Sequence, residues 1–330
     1  MSEGTFASPI GSAINRYLQL KRALGRRYAG EEQVLKSLDS FLTAEASDLT
    51  GDTFDRWCYT QEHLTSGVRR DRMRVVRNLC LYRRRTESAC FVPDTLLFPP
   101  LHQPVQPYIF TETEIIRLFH AAGRLERLPV SPLRPELFRL ALTLLYTTGL
   151  RRGELLRLTI GDYDPQERTL LVRESKFHKS RLLPLSTDAS HELKDYLQAR
   201  CAHRLPISPE TPLIWNRGGG GRAYSGGGFW FALHRLFDKT KIRTPDGRLP
   251  RVHDLRHTFA CHALLRWYRN EHDINAKLPL LAIYMGHVSI VSTQYYLHLI
   301  EPLATAANKR FERYCSGLVR PLASTSGGGR

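Results

Sequence analysis

Five prolines fall within the twenty residues "FVPDTLLFPPLHQPVQPYIF" (91–110), a density that no helix or central strand tolerates. Each proline removes a main-chain donor and fixes φ, and it biases the residue before it toward extended backbone. The stretch therefore reads as an extended linker that divides the 330 residues into two folding units. A chain of that length exceeds what one hydrophobic core normally organises, and 42% apolar residues are enough to fill two cores. The expected boundaries are a helical domain over 1–95, a linker over 96–110, a second domain over 111–316 and a disordered tail over 317–330.

Ahead of the linker, apolar residues recur near the helical period in four successive segments. "SAINRYLQLKRALG" carries Ile14, Tyr17, Leu18 and Leu24, with Gly25 as a stop. "EEQVLKSLDSFLTAE" repeats the pattern through Val34, Leu35, Leu38, Phe41 and Leu42. "DTFDRWCYTQEHL" gives a third helix with Asp52 as its expected cap. In "VRRDRMRVVRNLCLYRRR" Met73, Val76, Leu79 and Cys80 point inward and a dense set of arginines points outward.

Lysine and arginine total 48 against 32 acidic residues, a net charge of +16 in which arginine predominates. Such an excess favours a polyanionic partner, because each cation set on a phosphate releases counterions. A genome rich in arginine codons is the bland alternative. On a chain this basic, Arg69, Arg70, Arg74, Arg77, Arg83, Arg84 and Arg85 are expected to face a DNA backbone, the alternative being a merely solvated face.

After the linker, Thr111 with Glu114 three residues later forms a capping box that restarts the helix. Helix continues through "PELFRLALTLLYTTGLRRGELLRL". The alternating runs "YDPQERTLLVRES" and "RLLPLS" then predict a small sheet of hairpins. From "GGFWFALHRLFDKT" to about residue 316 the pattern is helical again. The fold class is mainly α with one small antiparallel β-sheet (α+β). The glycine-rich "NRGGGGRAYSGGGF" lacks the GK[ST] ending of a phosphate loop and reads as a flexible turn.

Six scattered cysteines (58, 80, 90, 201, 261 and 315) contain no CxxC pair, which argues against a structural zinc site or a disulfide framework. No run approaches the roughly 20 apolar residues of a membrane span. The start of the chain lacks the charged-then-apolar pattern of a secretory signal, so a cytoplasmic location, associated with the nucleoid, is the expectation.

The chemistry concentrates in "HDLRHTFACH" (253–262), which has two readings. On a helix His253, Arg256 and His257 share one face and His262 points away. Two histidines one turn apart resemble a zinc peptidase helix, with Asp254 where the base stands. Arg256, however, would set a fixed positive charge beside a dication, and a third ligand would still be needed. The other reading uses Arg256: a guanidinium fork matches two phosphate oxygens, and His253 can move a proton beside it. One arginine is too little for a pentavalent phosphorus, so further cations are required.

They are present in "YTTGLRRGELLRL", "ESKFHKSRLLPL", "HDLRHTFACHAL" and "YMGHVSIVSTQYYLHL", in that order. This succession resembles the tyrosine recombinase (phage integrase) family over roughly residues 110–300, and the four-helix unit before it is similar to that family's core-binding DNA-binding domain. The resemblance implies that Arg151, rather than its neighbour Arg152, is the first phosphate-binding arginine and that Glu154 orients its loop. It implies that Lys176, with Lys179 as the alternative, protonates the leaving 5′-oxygen. His253 and Arg256 become the proton-handling histidine and second arginine, with His257 structural. His287 would bond a non-bridging oxygen. Tyr296, nine positions after His287, becomes the nucleophile, and Tyr295 a packing residue.

The activity so implied is metal- and ATP-independent exchange of DNA strands through a 3′-phosphotyrosine. It would take double-stranded DNA with specific sites, a homotetramer on two synapsed duplexes, accessory recombination proteins, and no cofactor and no membrane. "ATAANKRFERYCSGLV" is the candidate helix for reaching a neighbouring subunit. Integration, excision or transposition of a mobile element is the expected task. The alternatives are Xer-like dimer resolution, a type IB topoisomerase, a DNA-binding protein without catalysis, and the zinc peptidase.

Overall fold

The structure, a computed structural model, describes residues 6–26, 28–100, 106–173, 180–216, 221–287 and 289–299. The chain forms two compact units, 1–105 and 106–330. Lys176, Lys179, most of the glycine run, the expected C-terminal helix and the tail lie outside the described residues.

The first unit holds α1 (Gly11–Ala23), α2 (Ala29–Ala44), α3 (Gly51–Tyr59) and α4 (Ser66–Arg83). Their apolar faces meet in a core of Ile14, Tyr17, Leu18, Leu35, Leu38, Leu42, Phe54, Trp57, Met73, Val76, Leu79 and Cys80. Leu24 departs from the expected inward stripe: it is the residue after α1 and stands exposed, while Gly25 turns the chain at φ 76°. The cap of α3 is Thr50, whose hydroxyl accepts from the Thr53 N–H, so Asp52 sits one step inside the helix.

Arg83 is a correction to the outward face of α4. Its side chain is buried and bonds Asp48 at 3.0 Å and Glu87 at 2.7 Å. Of the other six, Arg74, Arg84 and Arg85 are exposed and Arg69, Arg70 and Arg77 half-buried. Arg70 and Arg77 donate to the carbonyls of Pro99 and Pro93. The proline-rich stretch is thus less free than its composition suggests. A short 3-10 turn, Thr95–Leu97, interrupts it, and Phe91, Val92 and Phe98 pack on the first core.

In the second unit α5 (Glu112–Gly123) starts at the expected box, with Thr111 and Glu114 exchanging bonds. The helix α6 (Arg134–Thr148) buries Leu137, Phe138, Leu140, Ala141, Leu142, Leu144 and Leu145, residues all around its axis, and forms the centre of this core. A one-turn α7 (Arg152–Leu155) leads to an antiparallel sheet of β1 (Tyr163–Asp164), β2 (Thr169–Val172) and β3 (Arg181–Pro184), ordered β1-β2-β3. Leu170 stands opposite Leu183 and both are fully buried, which fixes the register against the core. α8 (Thr187–Ala202) follows.

A second, two-stranded pairing of β4 (Trp215–Asn216) and β5 (Arg222–Ala223) was not legible in the glycine run, which offers no alternation. Ser225 caps α9 (Gly226–Lys239), after which come α10 (Val252–Arg269), α11 (Ile274–Met285), α12 (Val291–Gln294) and a 3-10 segment, Tyr295–Leu299. No described helix is long and apolar enough to cross a membrane.

Candidate active site

Four chain segments meet at the site. The first is the turn after α6, where Gly149 sits at φ 63° and a Cβ would lie 2.5 Å from the Phe259 ring, so only glycine fits. The chain re-enters α7 with Arg151 as its N-cap. The Arg151 N–H donates to Glu154 Oε2 at 3.0 Å, and its guanidinium reaches Glu154 Oε1 at 2.8 Å and the Gly286 carbonyl at 3.1 Å.

Glu154 is buried and also receives Arg181, from the first position of β3, at 2.9 and 3.2 Å. Arg181 in turn donates from Nε to the Tyr284 carbonyl at 2.9 Å. One carboxylate therefore ties together the α6–α7 turn, the sheet and the end of α11. Burial opposes its charge, yet the Arg181 guanidinium and the Arg151 N–H outweigh that and hold the carboxyl down at about 2.

The second segment is α10 itself. Arg251 caps it, and the buried Asp254 accepts from the Arg251 N–H and guanidinium, both at 2.7 Å. Two residues on, the Arg256 side chain is 1% exposed and donates to the carbonyls of Gly149 and, at 2.8 Å, Met285. Burial, then the nearby Arg151 charge, push Arg256 down to about 10, which leaves it cationic at neutral pH. His253 lies one turn earlier with its ring edge-on to His257, centroids 4.7 Å apart. One side of His253 is open to solvent; crowding on the other side, then Arg256 and Arg251, push its pKa down.

The third segment is the end of α11. Gly286 takes φ 69°, and its N–H and that of His287 close the helix on the carbonyls of Ile283 and Ala282. That closure turns the His287 side chain back, with Nδ1 2.7 Å from the Thr293 hydroxyl. Burial, followed by Arg256 and Arg151, lowers His287 to about 4.

Tyr296 enters from the 3-10 segment and is 3% exposed, whereas Tyr295 is 40% exposed and does not take the packing role expected of it. The Tyr296 hydroxyl lies 3.2 Å from His257 Nδ1, and its ring stands near-parallel to His287 with centroids 6.1 Å apart. Burial raises the Tyr296 pKa and the Arg256 guanidinium opposes the rise. The site thus brings Arg151, His253, Arg256, His287 and Tyr296 together; Lys176 lies outside the described residues. His262 leaves the site and meets the Tyr146 hydroxyl at 3.0 Å. Among the described residues no three His, Cys, Asp or Glu side chains group so as to hold a metal ion.

The model of the phage integrase family matches residues 109–301, well over half the chain. The chain belongs to that family. A Sinorhizobium fredii protein named as an integrase/recombinase, y4rB, is 30% identical to this integrase-family chain over 93% of its length and 98% of the relative's. Tyrosine recombinase XerD of Mycobacterium leprae is 33% identical, over 60% of the chain and 58% of the relative. The fold is shared with the Tn1549 transposon integrase in complex with transposon right-end DNA, at TM-score 0.60 and 17% identity over 91% of this chain and 98% of that one. It is shared too with a λ integrase dimer bound to a core site, at TM-score 0.58 and 17% identity over 86% and 94%.

Two members of this integrase-family site escaped the sequence reading. Arg181 falls in the run "RLLPLS", whose pattern predicts only a strand, and its distance from Glu154 reveals its role in the loop junction. The resemblance leaves His257 structural, although its place on the same helix face as His253 and Arg256 is the available signal. Beside the site opens a cleft of about 390 Å³ lined by Arg152, Gly153, Trp230, Arg251, Val252 and His253.

Proposed function

We propose that this chain is a site-specific DNA recombinase that cleaves and rejoins strands through Tyr296. The reading is carried by one arrangement: a buried tyrosine hydroxyl beside a guanidinium that main-chain bonds hold in place, with Arg151, His253 and His287 around it. A phosphodiester attacked by a phenol gains charge on its equatorial oxygens, and fixed donors aimed at that charge lower the barrier. Arg151 and Arg256 receive two of these oxygens and His287 bonds a non-bridging one. His253 handles protons on the phosphate side, and Lys176 supplies a proton to the departing 5′-oxygen. The 3′-phosphotyrosine conserves the bond energy, so a 5′-hydroxyl from a partner strand reverses the step without a nucleotide cofactor.

The first unit serves as the core-binding domain, with the exposed Arg74, Arg84 and Arg85 and the half-buried Arg69, Arg70 and Arg77 on the DNA backbone. Arg83 is not part of that surface. The active assembly is a homotetramer on two synapsed duplexes, and the task is movement of a mobile element.

The test is covalent capture. The protein is incubated with a pool of nicked duplexes of randomised sequence, and DNA that stays attached through denaturation is sequenced. Recovery of one site by wild type and by Tyr295→Phe, but not by Tyr296→Phe, is the expected result. An adduct that persists in Tyr296→Phe overturns the assignment. A recovered site matching the ends of the element that carries the coding sequence supports integration or excision; one matching a chromosome-dimer site replaces that task with Xer-like resolution.

A further inference from the structure

We propose that His257, and not His253, takes the proton from the Tyr296 hydroxyl as the tyrosine attacks phosphorus. The inference rests on the recombinase reading above and assigns a role inside it.

Geometry separates the two histidines. His257 Nδ1 lies 3.2 Å from the Tyr296 oxygen, whereas His253 is one turn further along α10 toward the solvent-open cleft beside Arg152 and Arg251. The edge-on packing of the two rings fixes the orientation of each against the other. The charged and titratable groups around His257 are His253, Asp254, Arg251 and Arg256 on α10, and Tyr296 on the 3-10 segment. Burial, then His253, push His257 down to about 4, so its ring is neutral at pH 7 and has a lone pair to offer. Arg256 stands beside the same hydroxyl and favours the phenolate.

The step balances as follows. The Tyr296 O–H proton passes to His257 Nδ1, which becomes an imidazolium. The Tyr296 oxygen bonds phosphorus, the bond from phosphorus to the 5′-oxygen breaks, and that oxygen takes a proton from the general acid. In rejoining, the 5′-hydroxyl returns its proton to the conjugate base of that general acid and attacks phosphorus. The tyrosine oxygen then leaves and recovers its proton from His257. The two histidines thereby divide the work between the phosphate side and the tyrosine side of the reaction.

His257→Asn and His257→Ala separate proton transfer from placement. An asparagine amide can hold the hydroxyl near the Nδ1 position but cannot accept its proton. On the nicked site recovered by capture, both variants are expected to bind DNA as wild type does. Both should cleave in single turnover about 10²-fold or more slowly at pH 7. Their rates should climb with pH where the wild-type rate is flat, because hydroxide replaces the lost base.

Full cleavage by His257→Asn at pH 7 would show that placement is the whole role and overturn the proposal. In the free full-length protein, ¹⁵N spectra should show His257 protonated at Nε2 and bare at Nδ1. A proton on Nδ1 would overturn it without any DNA. Failure of the recombinase reading itself looks different: wild type would form no adduct, or Tyr296→Phe would form one.

Discussion

Replacing Glu154 by glutamine should loosen the second unit and its site together, by an amount the geometry bounds. The side chain is 2% exposed and is shared between Arg151 and Arg181, which are 27% and 10% exposed. A carboxyl held at about 2 instead of its ordinary 4.5 corresponds to ~3 kcal/mol of preference for the charged form in the folded state. Independently, removing one partner from a buried ion pair costs roughly 3–5 kcal/mol, because the other charge stays behind.

Glutamine keeps the shape and part of the hydrogen bonding, so ~2–4 kcal/mol is the expected loss at pH 7. The folded carboxyl titrates below the unfolded one, so this contribution is complete above about pH 4.5 and fades as pH falls toward about 2. Urea unfolding, followed by hydrogen-exchange protection in peptides of α6 and α10, reads the second unit without interference from the first. A Glu154→Gln protein as stable as wild type at pH 7 would refute the argument. So would a stability gap that stayed constant from pH 7 to pH 3.

Arg83→Ala should lower the stability of the first unit by ~1–3 kcal/mol and leave DNA affinity nearly unchanged. Arg74→Ala, Arg84→Ala and Arg85→Ala should each weaken DNA binding uniformly across sequences, and each should reduce the slope of log affinity against log salt by about 1; binding isotherms at several salt concentrations check both. Gly149→Ala places a Cβ against Phe259 at a left-handed φ, and should destabilise the second unit by ~1–3 kcal/mol in the same exchange measurement. His257 and His287 are held neutral in the folded protein and protonate in the unfolded chain nearer 6.5, so unfolding takes up protons between about pH 6.5 and 4. Stability should therefore fall as pH drops through that window, and less steeply in His257→Asn.

How far the sequence speaks depends on whether a contact is local. The capping box at Thr111 and the stop at Gly25 are short-range, and spacing exposes them; the break at Gly149 falls inside a run whose pattern continues as helix, and it is the left-handed turn against Phe259 that ends α6 there. Arg151, Arg256 and His287 carry motif signatures, and the structure brings all three to one place. Arg181 and Glu154 are 27 positions apart and meet only because β3 runs past α7, which no local pattern encodes. Arg83 is different: it stands seven positions after Val76 and three after Cys80, on the buried stripe of α4, so spacing places it inward and only its charge suggests the outer face, while its partner Asp48 lies 35 positions away. The β4–β5 pairing has no periodicity to betray it.

Arg256 carries a further consequence for the free energy of engaging a strand. A free arginine side chain surrenders close to 2 kcal/mol of rotamer entropy when it is pinned. Here the pinning is done by the carbonyls of Gly149 and Met285, so that loss is absorbed when the second unit folds. On the recombinase reading proposed above, a phosphate that reached Arg256 would spend little of its binding free energy on ordering that side chain.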